Sequence, residues 1–254
     1  MNTYTQQQGI YMTEPNANDH LVLVCGESST GKSASLMQLE KPEGVMYLNC
    51  ESGKKLPFRS GFQQYVITDP HQIEEAFDAA TQMEDIHTIV IDSLTYLMDM
   101  YESIYVINSS NTMKAWSDFA QFFKRIMQEK VPKAPQNVIF TAHTLSIYNE
   151  SEMIMETKVP VKGALKNNGI ESYFSVVIST KKMTLKKLKD YDSELLNITE
   201  EEQNLGFKYV FQTKLTKDTV NERMRGPLGL FSTQETFTDN NIQLILDRLH
   251  EYYD

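Results

Sequence analysis

Four short apolar runs punctuate the chain: Leu21-Val22-Leu23-Val24-Cys25, Gly44-Val45-Met46-Tyr47-Leu48-Asn49, Thr88-Ile89-Val90-Ile91-Asp92 and Val138-Ile139-Phe140-Thr141-Ala142. Runs of this length that do not alternate with polar residues predict strands buried on both faces. The segments between them have helical spacing. Residues 34–39 read as helix, and Asp69-Pro70 opens a helix carrying Ile73, Ala76, Phe77 and Ala80, with Asp69 as cap and Pro70 at its first position. Residues 113–128 place Trp116, Phe119, Phe122, Phe123 and Ile126 on one helical face, and Pro132 and Pro135 end it. A short strand is expected at 65–68. Strands that alternate with helices predict an α/β fold with a doubly wound, mainly parallel sheet. After residue 172 the pattern changes: 173–180, 208–214 and 220–224 predict successive antiparallel strands, and 240–253 a closing helix.

Composition narrows this picture. A chain of 254 residues with 41% hydrophobic content can bury a sizeable core. Residues 1–19 are polar and rich in Gln, Asn and Thr, which predicts an N-terminal arm rather than a signal peptide. Residues 20–254 are expected to form one domain, with an acidic loop insertion at about 190–203. No apolar run approaches the roughly 20 residues that span a bilayer. Cys25 and Cys50 end predicted strands and read as reduced core thiols, which suits a cytoplasmic setting. The net charge of −10 argues against indiscriminate coating of nucleic acid, although a local basic strip could still bind it.

The chemistry begins where the first strand ends. Gly26-Glu27-Ser28-Ser29-Thr30-Gly31-Lys32-Ser33 fits G-x-x-x-x-G-K-[ST], the phosphate-binding loop of nucleoside triphosphatases. Its glycines let the backbone N–H groups face phosphates, and Ala34 starts the helix whose N-terminus adds a positive dipole end. Lys32 is expected on the β- and γ-phosphates of ATP, and Ser33 on Mg²⁺. Asp92, at the end of a buried strand, is expected to hold the same ion. Glu51 follows the second strand, where a carboxylate can activate water; it is otherwise an ordinary loop acid, and Glu27 is the weaker rival. His143 ends the fourth run, either as a γ-phosphate sensor or as a hydrogen-bonded strand-end histidine.

The motif order resembles the RecA-like ATPase core. Asn49-Cys50-Glu51 looks like that family's strand-end catalytic glutamate, Ile89-Val90-Ile91-Asp92-Ser93 its metal-binding strand, and 138–143 its sensor strand, with His where the bacterial recombinase has Gln. Arg223-Met224-Arg225 lies where RecA carries a Lys-x-Lys pair. The resemblance therefore implies Arg223 and Arg225 as trans-acting fingers in a homo-oligomer with ATP at the subunit interface; the bland alternative is a solvated pair. The size and motif order look most like phage AAA-type nucleotide-binding proteins, which include RecA-like single-strand annealing ATPases of the Sak-four type. This implies a Mg²⁺-dependent ATPase binding single-stranded DNA in phage recombination or replication, with a single-strand-binding or other replication protein as a possible partner. The family's DNA loops map to about 101–112 and 144–169, the second carrying Lys158, Lys162 and Lys166. Lys181, Lys182, Lys186 and Lys187 form a further basic strip, readable as a phosphate contact or as an aggregation-blocking edge. A helicase-like motor or loader, and an ATP-gated protein-interaction module with slow hydrolysis, are the rival readings.

Overall fold

The buried runs become neighbours in one eight-stranded sheet. In chain order its strands are β1 (Leu21–Gly26), β2 (Val45–Asn49), β3 (Gln63–Val66), β4 (Thr88–Asp92), β5 (Asn137–His143), β8 (Val176–Thr184), β9 (Phe207–Gln212) and β10 (Phe237–Asp239). Between them, β6 (Leu145–Asn149) and β7 (Ile154–Lys158) form a separate antiparallel hairpin. The helices are α1 (Gln72–Ala80), α2 (Leu94–Tyr101), α3 (Thr112–Arg125), the short α4 (Leu185–Leu188), α5 (Glu200–Leu205) and α6 (Ile242–Tyr253). The spatial order of the sheet is β10-β9-β8-β1-β5-β4-β2-β3. This computed structural model describes residues 18–166, 168–191 and 193–253. All of the expected arm except Asn18 and Asp19 lies outside the described residues, as do Asn167 and Asp192.

Alternation along each strand sends side chains to opposite faces of the sheet. Leu21, Leu23, Ile89, Ile91, Val138 and Phe140 pack with Ile73 and Phe77 of α1, Leu97 of α2, and Phe119 and Phe122 of α3. Val22, Val24, Val90 and Ile139 face the other way, onto Ile245, Leu246 and Leu249 of α6 and onto Leu36. Helices thus cover both faces, as a doubly wound sheet requires. Among the described residues, no helix is long and apolar enough to cross a membrane.

Several expectations need correction. The segment after the phosphate loop is a 3₁₀ helix, Ser33–Gln38, not an α-helix. The Ser35 hydroxyl donates back to Lys32 O at 2.6 Å, and Leu39 N closes onto Leu36 O, so local bonds favour the tighter turn. α1 begins at Gln72, and Asp69 instead accepts the His71 N–H in the preceding turn. β8 is antiparallel to β9 as expected but runs parallel to β1, and β10 is antiparallel to β9 in turn, so β9 is the reversed strand of this sheet. Residues 220–224 form no strand: Glu222 makes one isolated bridge to Thr157. The acidic 190–203 segment is not all loop, because α5 starts in it behind a Thr199–Glu202 capping box.

Phe140 is fully buried in β5, edge-on to Phe174 at 5.3 Å between ring centroids. Phe140→Ala is expected to lower stability by about 3–5 kcal/mol. Denaturant unfolding should show this as a lower midpoint at unchanged slope.

Candidate nucleotide-binding site

The phosphate loop is shaped by what surrounds its glycines. A Cβ on Gly26 would lie 2.0 Å from Thr180 Oγ1 on β8 and 2.6 Å from Thr30 Oγ1. Those two hydroxyls are hydrogen-bonded at 2.5 Å, so the loop is clamped to β8 at Thr30. Gly31 has φ +99°, a left-handed conformation that disfavours side chains, and its carbonyl accepts from Asn240 Nδ2 at 2.9 Å. Lys32 is buried, and its ammonium donates to the carbonyls of Gly26 (3.0 Å) and Glu27 (2.7 Å). Burial lowers its pKa to about 8, with Asp92 and Glu51 opposing the shift.

Asp92 ends β4 and is 2% exposed. Its Oδ2 accepts from the Ser33 hydroxyl at 2.7 Å and from the Tyr47 hydroxyl at 2.7 Å, and its Oδ1 accepts from the Thr141 hydroxyl. The neighbouring Asp92–Ser93 peptide is cis. Burial, then the Asp92 charge, push the Tyr47 phenol far above its ordinary range. The donor set fits Mg²⁺. Ser33 and Asp92 offer hard oxygens at hydrogen-bond distance from each other, and Mg²⁺ in phosphate sites takes one or two protein oxygens beside phosphates and water. Among the described residues, no three His, Cys, Asp or Glu side chains gather into an all-protein cage.

Glu51 follows β2 across the same cleft. Its backbone N–H donates to Asn49 Oδ1 at 2.9 Å, which fixes where the carboxylate starts. Lys54 Nζ donates to Oε2 at 2.8 Å, and His143 Nε2 lies 3.6 Å from Oε1, longer than a hydrogen bond. His143 first, then Lys54, outweigh burial and hold the Glu51 carboxyl down at about 2. The His143 backbone N–H is anchored on Thr95 Oγ1 at 2.9 Å, and its ring lies edge-on to Tyr96. Lys32, Ser33, Glu51, Asp92 and His143 all line one cleft of about 450 Å³, together with Tyr209 and Asn240. Ser28, Ser29, Gly31 and Ala34 of the loop also line it, whereas Glu27 and Thr30 line a neighbouring polar crevice.

The remaining candidates lie elsewhere. Arg223 is bonded within its own chain to Glu156, Nε to Oε1 at 2.8 Å, with its NH1 3.7 Å from the buried Glu171. Arg225 is exposed, and its side chain reaches Ser172 O at 3.4 Å. Neither lines the cleft. Lys158, Lys162 and Lys181 are paired with Glu156, Glu102 and Glu222, while Lys182 lies over the Phe207 ring at 4.1 Å. Lys186 and Lys187 sit on α4, both exposed. Sequence reasoning missed Tyr47, Lys54, Thr141, Thr180 and Asn240. Tyr47 and Thr141 look like ordinary positions in apolar strands, and the others gain meaning only from contacts distant in the chain.

A phosphate loop leaving β1, with a hydroxyl-held carboxylate ending β4 of a doubly wound sheet, defines a nucleotide-binding domain of the P-loop nucleoside triphosphatase class. The chain belongs to the AAA domain family, whose model matches residues 19–206. A search of curated proteins finds no match.

The lowered pKa of Lys32 has a pH consequence. Phosphate binding favours the ammonium, so nucleotide binding above about pH 8 must take up a proton, and affinity must fall as pH rises through that value. Calorimetry at pH 9 in buffers of different ionisation heat should show uptake approaching one proton, and Lys32→Arg should abolish it because Arg never deprotonates.

Proposed function

We propose that the protein is a Mg²⁺-dependent ATPase of RecA-like type that acts on single-stranded DNA in phage recombination or replication. The observation that carries the hydrolytic part is Glu51: a carboxylate held ionised across the cleft from Lys32, Ser33 and Asp92. Lys32 would bind the β- and γ-phosphates. Ser33 and Asp92 would hold Mg²⁺, which neutralises phosphate charge when bound. Glu51 would orient the attacking water and receive its proton. Steady-state ATP turnover with Mg²⁺ tests this. Glu51→Gln is expected to lower turnover by about 10²- to 10⁴-fold while nucleotide still binds. Turnover unchanged in both Glu51→Gln and Lys32→Ala would sink the assignment.

The DNA part is supported by a basic cleft of about 440 Å³ at the foot of the β6–β7 hairpin. Lys158, Lys162, Lys166 and Arg223 line it, and among the described residues no carboxylate does. A phosphodiester chain could replace the exposed Lys162–Glu102 pair, since such a pair contributes little, and compete with Glu156 for the half-buried Lys158 and Arg223. In this reading Arg223 serves the DNA cleft, and the exposed Arg225 is left to reach a neighbouring subunit's nucleotide in a homo-oligomer. Single-strand binding should weaken steeply with salt. Neutralising Lys162 and Lys166 together should reduce the slope of log K against log salt by about 1.4, at about 0.7 per phosphate contact. DNA that leaves both turnover and binding untouched at every salt would favour an ATP-gated interaction module instead. That second reading is favoured by one observation: Ile147, Tyr148, Met153 and Met155 of the hairpin region are exposed.

A further inference from the structure

Asp92 is held by more than the serine of the phosphate loop. The oxygen that accepts from Ser33 also accepts from Tyr47 Oη at 2.7 Å. Tyr47 comes from β2, is 3% exposed, packs near the Phe62 ring, and lines the nucleotide cleft. Phenylalanine would fill the same apolar space, so the hydroxyl's contribution is its bond to the carboxylate. The terminal torsion of an aspartate is broad and roughly two-fold. If Ser33 were its only partner, the carboxylate would be free to turn whenever the serine oxygen engages a cation. Tyr47 from β2 and Thr141 from β5 grip the two oxygens from the strands on either side of β4, independently of Ser33.

We propose that Tyr47 is a positioning residue for the divalent metal: its hydroxyl fixes Asp92 Oδ2 in the orientation in which Asp92 and Ser33 share one cation. The inference rests on the reading that a metal–nucleotide complex occupies the cleft. Groups that orient a metal ligand typically change metal affinity by about 10- to 100-fold when removed.

The test is equilibrium binding of a fluorescent ATP analogue to the full chain, with MgCl₂ titrated and with EDTA. The wild type is expected to bind more tightly as Mg²⁺ rises. In Tyr47→Phe the ratio of metal-bound to metal-free nucleotide affinity should fall by about 10- to 100-fold, with a matching rise in the Mg²⁺ needed for half-maximal tightening. Thr141→Val removes the bond to the other oxygen at similar volume and should move the same ratio, which covers failure of the first variant to fold. An unchanged ratio in a folded variant overturns the assignment. So does a parallel loss of metal-bound and metal-free affinity, the signature of a merely structural tyrosine. A wild type that binds no nucleotide, or binds it without response to Mg²⁺, overturns the functional reading itself, and the role of Tyr47 falls with it.

Discussion

The carboxylate of Asp92 ties the fold to the site. A buried carboxylate must be hydrogen-bonded or it destabilises the state that buries it. Its donors come from three directions: Tyr47 from β2, Thr141 from β5, and Ser33 from the loop that leaves β1. Those elements can converge only if β1, β5, β4 and β2 are adjacent in that order and in one register, with Asn49 beside Asp92 and Val24 beside Thr141. A slip of one residue would turn Tyr47 or Thr141 to the opposite face and leave the charge unpaired. The register that packs Val22, Val24, Val90 and Ile139 against α6 is therefore also the register that brings three hydroxyls onto the Asp92 carboxylate.

Charge is organised on the same principle at larger scale. The chain carries a net charge of −10, and most of its prominent cations sit against acids: Lys158 and Arg223 share Glu156, Lys162 meets Glu102, and Lys181 meets Glu222. Partly exposed pairs of this kind stabilise the fold little. They do hold long basic side chains in place, and the acidic shell repels polyanions from the rest of the surface. Under the proposed function, both would favour a localised contact with nucleic acid over a diffuse one.

The sheet's centre was legible because its signal is local. Short β-branched apolar runs bounded by turn residues favour buried strands, and a phosphate loop that follows such a run carries its own context. Pairing direction is not local, which is why β8 reads like its antiparallel neighbours although it lies parallel to β1. The hairpin escaped notice because β6 has no buried face to create a period-two pattern, its first four residues being exposed. The three-residue β10 is too short to carry any pattern. Glu51 and Asp92 could be placed from strand ends alone. Tyr47 and Thr141 could not, because a polar residue inside an apolar strand declares its role only when the partner across the sheet is known. The basic cleft was half legible: its lysines stood out in the sequence, but Arg223 joins them through contacts distant in the chain, the bridge between Glu222 and Thr157 and the Glu156 it shares with Lys158.

Under the proposed reaction, the geometry of Glu51 explains how hydrolysis could be kept waiting for its substrate. A carboxyl held at about 2 is a weak base, since base strength falls with pKa. The largest cause of that depression is His143, which ends β5 and is separated from the β6–β7 hairpin by Thr144 alone. An imidazole that turned from Glu51 toward a γ-phosphate would lift that influence and leave Lys54, at 2.8 Å, as the carboxylate's partner, so its pKa would rise part of the way toward its ordinary range. The same turn would act on the strand end that leads into the hairpin and the basic cleft. One movement would then strengthen the base only when nucleotide is present, and report its presence to the surface proposed to meet DNA.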